Sequence, residues 1–490
     1  MSKPESSTRS QLYWNTFISI PSQIISFVIS ILVARILDPK DFGIMGIVMM
    51  LIGFSNLLAN FGFNQAVIQK GIHDKKLLSS IFTFNLAMSF GLTLVFFLLS
   101  GYMADFFKVP ECKDVIKVMS PVFIIGSFAG IPNAILRRDM NFKAVSLIDF
   151  FQSFLMSIIT LILAMKGFGY WALVYGQLIP SVVITITLYI VTQWVPIAYY
   201  NQSLMRSVFH FGMWNFINTQ LGFVAQQTDK FIIGRWLGPA ALGLYDKAKS
   251  VGEMPYNSLI ININGVMFSS FSRLNNNKLE LREQFKKSLT LLSFINFPIY
   301  LGLIIIAPYF VYVLLGDKWA PMIMSFEIIL VSMLFKSFGG LVASLNIGIG
   351  KYKEHTILFS LALIVFIVVA FISIPFGIDG IAISYFIFSF IYVCLWLNLS
   401  LKNLDLRWKD IFLAITPGIA SSTLMFFMVK IMTFFFFAEY SFINMVFIVG
   451  VSTSIYCLYV LFDKSRLTRE LKSLIWKDIK EKSFILTSQK

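Results

Sequence analysis

Apolar runs of about twenty residues, separated by short polar breaks, recur along nearly the whole chain. A run of that length crosses the hydrocarbon core of a bilayer as one α-helix. The runs fall at roughly 12–36, 42–67, 78–103, 115–136, 144–165, 170–192, 208–235, 241–271, 288–315, 321–349, 357–376, 380–401, 411–434 and 440–462. This pattern predicts an all-α polytopic membrane protein with about 14 transmembrane helices. Every second break is rich in Lys and Arg, as at Lys75 and Lys76, Arg137 and Arg138, Lys286 and Lys287, and Arg407 and Lys409. The breaks between them offset their few cations with acids such as Asp38, Asp41 and Glu111. Basic loops stay on the cytoplasmic side. The alternation therefore predicts an even number of spans, with both termini cytoplasmic.

The second feature of the pattern is its repetition at an offset of two hundred. Trp14, Asn15, Arg35, Leu37, Pro39 and Gly43 align without a gap on Trp214, Asn215, Arg235, Leu237, Pro239 and Gly243. Internal repeats of this size mark transporter folds. Six spans separate the copies, so both enter the membrane from the same side and the repeat is parallel. The expected organisation is an N-terminal six-helix half at 1–192 and a cytoplasmic linker at 193–207. A C-terminal six-helix half at 208–401 follows, then two additional helices within 402–462 and a basic amphipathic tail at 463–490. In the tail, Leu467, Leu471, Leu474, Ile475 and Ile479 share one helical face, which suits an interfacial helix.

Composition narrows the class further. With 57% hydrophobic and 13% charged residues, the chain has too little polar surface to cover a water-soluble globule. A formal charge of +15 would suggest nucleic acid in a soluble protein, but here loops facing anionic lipid account for it, and no nucleic-acid partner is expected. Cys112, Cys394 and Cys457 are scattered, as are His73, His210 and His355, which leaves neither a disulfide framework nor a metal site. No cofactor motif is present either, since the glycines between Asn346 and Lys351 lack phosphate-loop spacing. The outer breaks are too short to hold and activate an acceptor, so an enzyme is not expected.

Candidate chemistry lies in polar stripes inside the spans. Asn15, Ser19, Ser22, Ser26 and Ser30 share a face of the first span, and Asn215, Thr219, Gly222, Gln226 and Lys230 share the matching face of the seventh. The second span carries Asn56, Asn60 and Asn64, and the eighth carries Asp246, Lys249, Glu253, Asn257 and Asn264. Lipid cannot solvate these groups, so they turn toward protein or water. Serine and asparagine stripes also serve as hydrogen-bond glue between helices, and Asp246, Lys249 and Glu253 are spaced to pair along one helix. Lys336 and Glu327 in the tenth span, Asp149 in the fifth and Lys430 in the thirteenth are single charges, for which pairing or snorkelling is the simplest account. Arg35 and Arg235 stand beside helix-stopping prolines, where an interface anchor is the plain alternative to a functional role.

The two motifs ILVARILDPKDFGIMG and TDKFIIGRWLGPAALGLYDKAKSV, with the fourteen-span layout, carry a family resemblance. The chain resembles the polysaccharide-transporter branch of the multidrug/oligosaccharidyl-lipid/polysaccharide exporter superfamily, in particular Wzx-type flippases of the colanic acid and teichuronic acid kind. Asp229, Gly234, Leu237, Gly238 and Gly243 to Tyr245 occupy the positions of the family's second motif. The resemblance implies a flippase moving an undecaprenyl-diphosphate-linked oligosaccharide across the bacterial inner membrane for exopolysaccharide or lipopolysaccharide synthesis. It also implies membrane lipids, a polysaccharide polymerase and other assembly proteins as partners. For such a substrate the expected diphosphate and sugar contacts are Asn15, Arg35, Asn215, Gln226, Lys230, Arg235, Lys247, Lys249 and Lys336. Asp149, Asp229, Glu253 and Glu327 are the candidates for ion coupling. Two readings within the superfamily remain beside it, a multidrug-type exporter and a peptidoglycan-precursor flippase. A membrane polysaccharide polymerase is the rival from another class.

Overall fold

The computed structural model describes the backbone of residues 5–60, 63, 67–68, 72–436 and 439–462, and side chains within these except 5–20, 56–60, 207–219, 221 and 436. The side chains of Asn15 and Asn215 and the tail 463–490 lie outside the described residues. Among the described residues every regular element is helical. The helices are α1 (Glu5–Ile36), α2 (Pro39–Asn60), α3 (Lys75–Phe107), α4 (Cys112–Met119), α5 (Val122–Arg138), α6 (Phe142–Met165), α7 (Tyr170–Thr192) and α8 (Gln202–Ile232). After them come α9 (Pro239–Pro255), α10 (Ile261–Arg273), α11 (Lys278–Tyr309), α12 (Ile323–Gly348), α13 (Tyr352–Ile372), α14 (Gly377–Leu404), α15 (Trp408–Phe436) and α16 (Phe442–Phe462). Helices α4 and α5 run on across one turn, and α9 and α10 are joined by the π-turn Tyr256–Ile260. Ten of the resulting segments are individually long and apolar enough to cross a membrane. With α1, α2, α8 and the α9–α10 pair added, the arrangement is consistent with the fourteen spans read from the pattern.

The chain forms two compact units, Met1–Asp246 and Lys247–Lys490, and the seam falls inside α9. In the first unit α1 packs on α6, α6 on α7, α3 on α5 and α2 on α8. One of its core clusters gathers Phe63, Ile81, Phe82, Ile131 and Met205. In the second unit α12 packs on α14 and α11 on α15, with Ile305, Tyr309, Met425, Val429 and Ile448 in one cluster. Large apolar side chains are also exposed in rows at helical spacing. Phe90, Leu94 and Leu98 on α3 are 63%, 50% and 65% exposed, a face suited to lipid and not to water.

The repeated motif builds two helix stops within the first unit, and the stops differ. After α1, the backbone N–H of Asp38 donates to Asp41 Oδ2 at 3.0 Å, and Pro39 opens α2. After α8, a π-turn at Ile233–Leu237 leads to Gly238 at φ +88°, a conformation that suits glycine, and Pro239 opens α9. Alanine stands at 241 where Asp41 stands in the first copy. The second copy therefore uses glycine geometry where the first uses a side-chain cap. The two helix starts then meet reciprocally. A Cβ built on Gly43 would fall inside the Pro239 carbonyl, and one built on Gly243 inside the Pro39 carbonyl. The matching Pro and Gly of the sequence repeat are thus partners in one backbone contact.

Candidate functional site

The charged residues of α8 and α9 form the first cluster, inside the first unit. Asp229 is fully buried, and its carboxylate accepts hydrogen bonds from the Tyr245 hydroxyl at 2.9 Å and the Lys230 backbone N–H at 2.8 Å. Lys230 Nζ meets Asp246 Oδ1 at 2.5 Å. Residues 229 and 230 end α8, and 245 and 246 lie two turns into α9, so the tight Gly238–Pro239 stop is what folds these side chains together. A buried carboxylate is tolerated only with such donors around it. Asp229 is therefore held by its hydrogen bonds.

Arg235 sits in the π-turn, half-buried, with its guanidinium 5.1 Å from the Phe106 ring and 5.7 Å from the Trp236 ring. Arg35, at the end of α1, is exposed. The two arginines aligned by the repeat therefore have different surroundings. Gln226, one turn before Lys230, is exposed on α8.

The second cluster lies inside the second unit. Lys336, near the middle of α12, meets Glu253 Oε1 at 2.9 Å, and its ammonium lies 4.9 Å from the Tyr256 ring centroid. Lys249 is 4% exposed, with its ammonium 4.8 Å from the Tyr385 ring centroid. Lys247 is 7% exposed. Aromatic faces attract cations most strongly where water is excluded. Lys249, Glu253 and Tyr256 recur at helical spacing, so one face of α9 and the π-turn after it supplies the acid, one cation and one ring. Helices α12 and α14 supply Lys336 and Tyr385.

Two of the expected acids go elsewhere. Asp149 on α6 lies 3.8 Å from Arg137 Nη2 and is more than half exposed. Glu327 on α12 is half-buried, and the charge of Lys430 on α15 acts on it without an ion pair between them among the described residues. No interaction joins either to the two clusters among the described residues.

Sequence reasoning named the lysines but missed the rings that hold them. Tyr256 carried a signal, since it follows Glu253 by three residues on the same helical face. Tyr245 lies in the second motif, whose pattern gives it no role of its own. Tyr385 had no signal, because it comes from another helix far along the chain.

A multi-span α-helical fold with cations and acids set into its interior is the architecture of a membrane transporter. The chain belongs to the polysaccharide biosynthesis protein family, whose model matches residues 32–324 of 490, and the Wzx-type resemblance read from the two motifs is upheld. Among curated proteins it is 25% identical over 382 residues to an uncharacterized membrane protein in the cps region of Klebsiella pneumoniae, covering 76% of this chain and 78% of that one. It is 24% identical over 325 residues to the lipopolysaccharide biosynthesis protein WzxC of Escherichia coli strain K12, covering 64% of each. Among solved structures its fold is similar to lipid II flippase MurJ in an inward closed conformation, with a TM-score of 0.76 at 15% identity, covering 95% of this chain and 99% of that one.

Proposed function

We propose that this protein moves an undecaprenyl-diphosphate-linked oligosaccharide repeat unit across the bacterial cytoplasmic membrane, exposing its cationic residues to one leaflet and then the other. The observation that carries the reading is the set of lysines held inside a membrane family fold at Lys230, Lys247, Lys249 and Lys336. A lipid diphosphate brings negative charge through hydrocarbon, and ammonium groups already buried there replace part of its lost hydration. Each of Lys230 and Lys336 has an acidic partner, so the interior stays near neutral until an anion displaces that acid. Arg35 and Arg235 serve as anchors at the ends of their helices, and Asn15, Asn215 and Gln226 as sugar contacts. Asp229 and Glu253 are the stronger candidates for ion coupling, because Asp149 pairs with Arg137 and Glu327 stands apart from both clusters.

Names of relatives support this reading over a drug exporter. WzxC is a lipopolysaccharide biosynthesis protein, and a second relative, TuaB of Bacillus subtilis strain 168, is a teichuronic acid biosynthesis protein. The basic loops support a topology with both termini in the cytoplasm, with 1–192 and 208–401 as parallel halves around the linker 193–207 and the helices of 402–462 outside the repeat. A polysaccharide polymerase and other assembly proteins are the protein partners this role requires.

The test is depletion of the protein followed by leaflet-resolved measurement of lipid-linked repeat units. Accumulation on the cytoplasmic leaflet is expected. Accumulation of single units on the outer leaflet would overturn the reading in favour of a polymerase. Simultaneous neutralisation of Lys230 and Lys249 to Gln is expected to abolish complementation of the depleted strain at unchanged protein level.

A further inference from the structure

Asn264 on α10 is 8% exposed, and its side-chain oxygen Oδ1 is enclosed with no hydrogen-bond partner among the described residues. Buried amide oxygens are almost always satisfied in folded proteins, because water lost without replacement is costly. An unmet one beside a binding site marks a place for a donor that comes from outside the chain. Asn296 on α11 also has an unmet oxygen, but its Nδ2 donates to the Leu334 carbonyl at 2.9 Å and so fastens α11 to α12. Among the described residues Asn264 makes no such bond to a neighbouring helix.

Its surroundings indicate what the donor is. Asn264 packs against Gly340 of α12, where a Cβ would overlap its amide nitrogen and lie 3.2 Å from the Tyr256 hydroxyl. Gly340 follows Lys336 by one helical turn, so both lie on one face of α12. Lys336 in turn is within reach of Glu253 and of the Tyr256 ring. One turn of α12 therefore meets an ammonium group, an aromatic face, a phenol hydroxyl and an unmet amide oxygen. An anionic linkage suits the ammonium, the apolar face of a pyranose suits the ring, and a sugar hydroxyl suits the amide oxygen. Glycine at 340 lets the amide approach the helix closely enough to share that space.

We propose that Asn264 reads the sugar next to the diphosphate. Its Oδ1 accepts a hydrogen bond from a hydroxyl of that sugar, while Lys336 exchanges Glu253 for the anionic linkage. This rests on the flippase reading and deepens it, by assigning sugar selection to one residue and charge recognition to another. Asn264 thereby separates a glycosylated lipid diphosphate from a bare one.

The experiment uses the purified full-length protein in lipid nanodiscs, with two probes. One is undecaprenyl diphosphate, and the other is the lipid-linked repeat unit extracted from the strain that encodes this chain. The parent is expected to prefer the glycosylated lipid. Asn264→Leu, which keeps the shape and removes the acceptor, should weaken the glycosylated lipid about tenfold and leave the bare lipid unchanged, as expected for one hydrogen bond to a sugar. Gly340→Ala, which displaces the amide without changing it, should do the same, and Lys336→Gln should weaken both lipids together. If the Asn264→Leu protein discriminates as the parent does, or loses both lipids equally in a folded, monodisperse preparation, the assignment is overturned while the flippase reading stands. If the parent binds neither lipid, the flippase reading falls and the assignment falls with it.

Discussion

The charge cluster of the first unit is held by near neighbours in sequence, and that of the second by distant ones. Asp229 and Tyr245 are 16 residues apart, joined by a single helix stop. Glu253 and Lys336 are 83 residues apart and meet only because α9 and α12 pack in the same unit. The acids differ as well. Asp229 is fully buried and takes two donors, whereas Glu253 and Lys336 remain about a quarter exposed. A lysine has three N–H donors, and among the described residues Lys336 gives one of them to a carboxylate and rests otherwise on a ring face. A ring face holds a cation without consuming its donors. The first cluster thus centres on a carboxylate that water does not reach, and the second on an ion pair that stays partly open.

The strongest way to break this comparison is at the glycines. Gly43→Ala or Gly243→Ala would drive a methyl into a backbone carbonyl, which cannot rotate away. A loss of roughly 3 kcal/mol or more is expected, because overpacking of this kind moves main chain. Thermal unfolding in detergent measures it, with Gly265→Ala, which meets open space, as the unchanged control. At Gly340 the obstacle is a side-chain amide that can turn, so the stability loss there should be well below that at Gly43.

Next come the ion pairs. Lys336→Gln removes one partner of Glu253, and breaking such a partly buried pair should cost about 2 kcal/mol once the residual exposure is discounted. The double variant Lys336→Gln with Glu253→Gln should regain most of that stability and still fail in transport. A double-mutant cycle reads the coupling directly. If the double variant transports, the second cluster is structural and the contrast with the first disappears.

Tyr245→Phe sharpens the comparison from the other side. It removes one donor from a buried carboxylate, for an expected loss of about 1–2 kcal/mol. Tyr256→Phe keeps the ring under Lys336 and should change stability by less than about 0.5 kcal/mol. The smallest effect belongs to an exposed pair. Lys40 Nζ donates to Glu111 Oε1 at 2.6 Å, and this hydrogen bond holds the Glu111 carboxyl below its ordinary value of 4.5. A lowered folded-state value means the contribution is present above pH 4.5 and is lost as the pH falls through the folded value. Glu111→Gln should therefore leave the unfolding temperature nearly unchanged at neutral pH and flatten its decline in acid.

Much of the fold was legible in the pattern because a bilayer imposes strict rules. Each span must be long, apolar and internally hydrogen-bonded, so run length and loop charge located the helices before any contact was known. The repeat was legible for a related reason. Pro39, Gly43, Pro239 and Gly243 were visible as matches, although their reciprocal backbone contact was not. The candidate site was legible only in part. Lys230, Lys249, Glu253 and Lys336 stood out as ionisable groups inside apolar runs, which membranes penalise. Their partners did not, because an aromatic residue or an asparagine in a span looks the same whether it faces lipid, protein or a cation.

The sequence by itself determined an all-helical membrane protein, its repeated motif and the charges its interior must accommodate, since these follow from the local cost of placing each residue in hydrocarbon. Tertiary structure alone decided that Lys230 answers to Asp246, Lys336 to Glu253 and Tyr256, and Lys249 to Tyr385. Helical spacing allows α9 to pair its charges along its own face, and it allows pairing with another helix equally well. Only the packing of α8, α12 and α14 against α9 brings the second set of partners within a few ångströms.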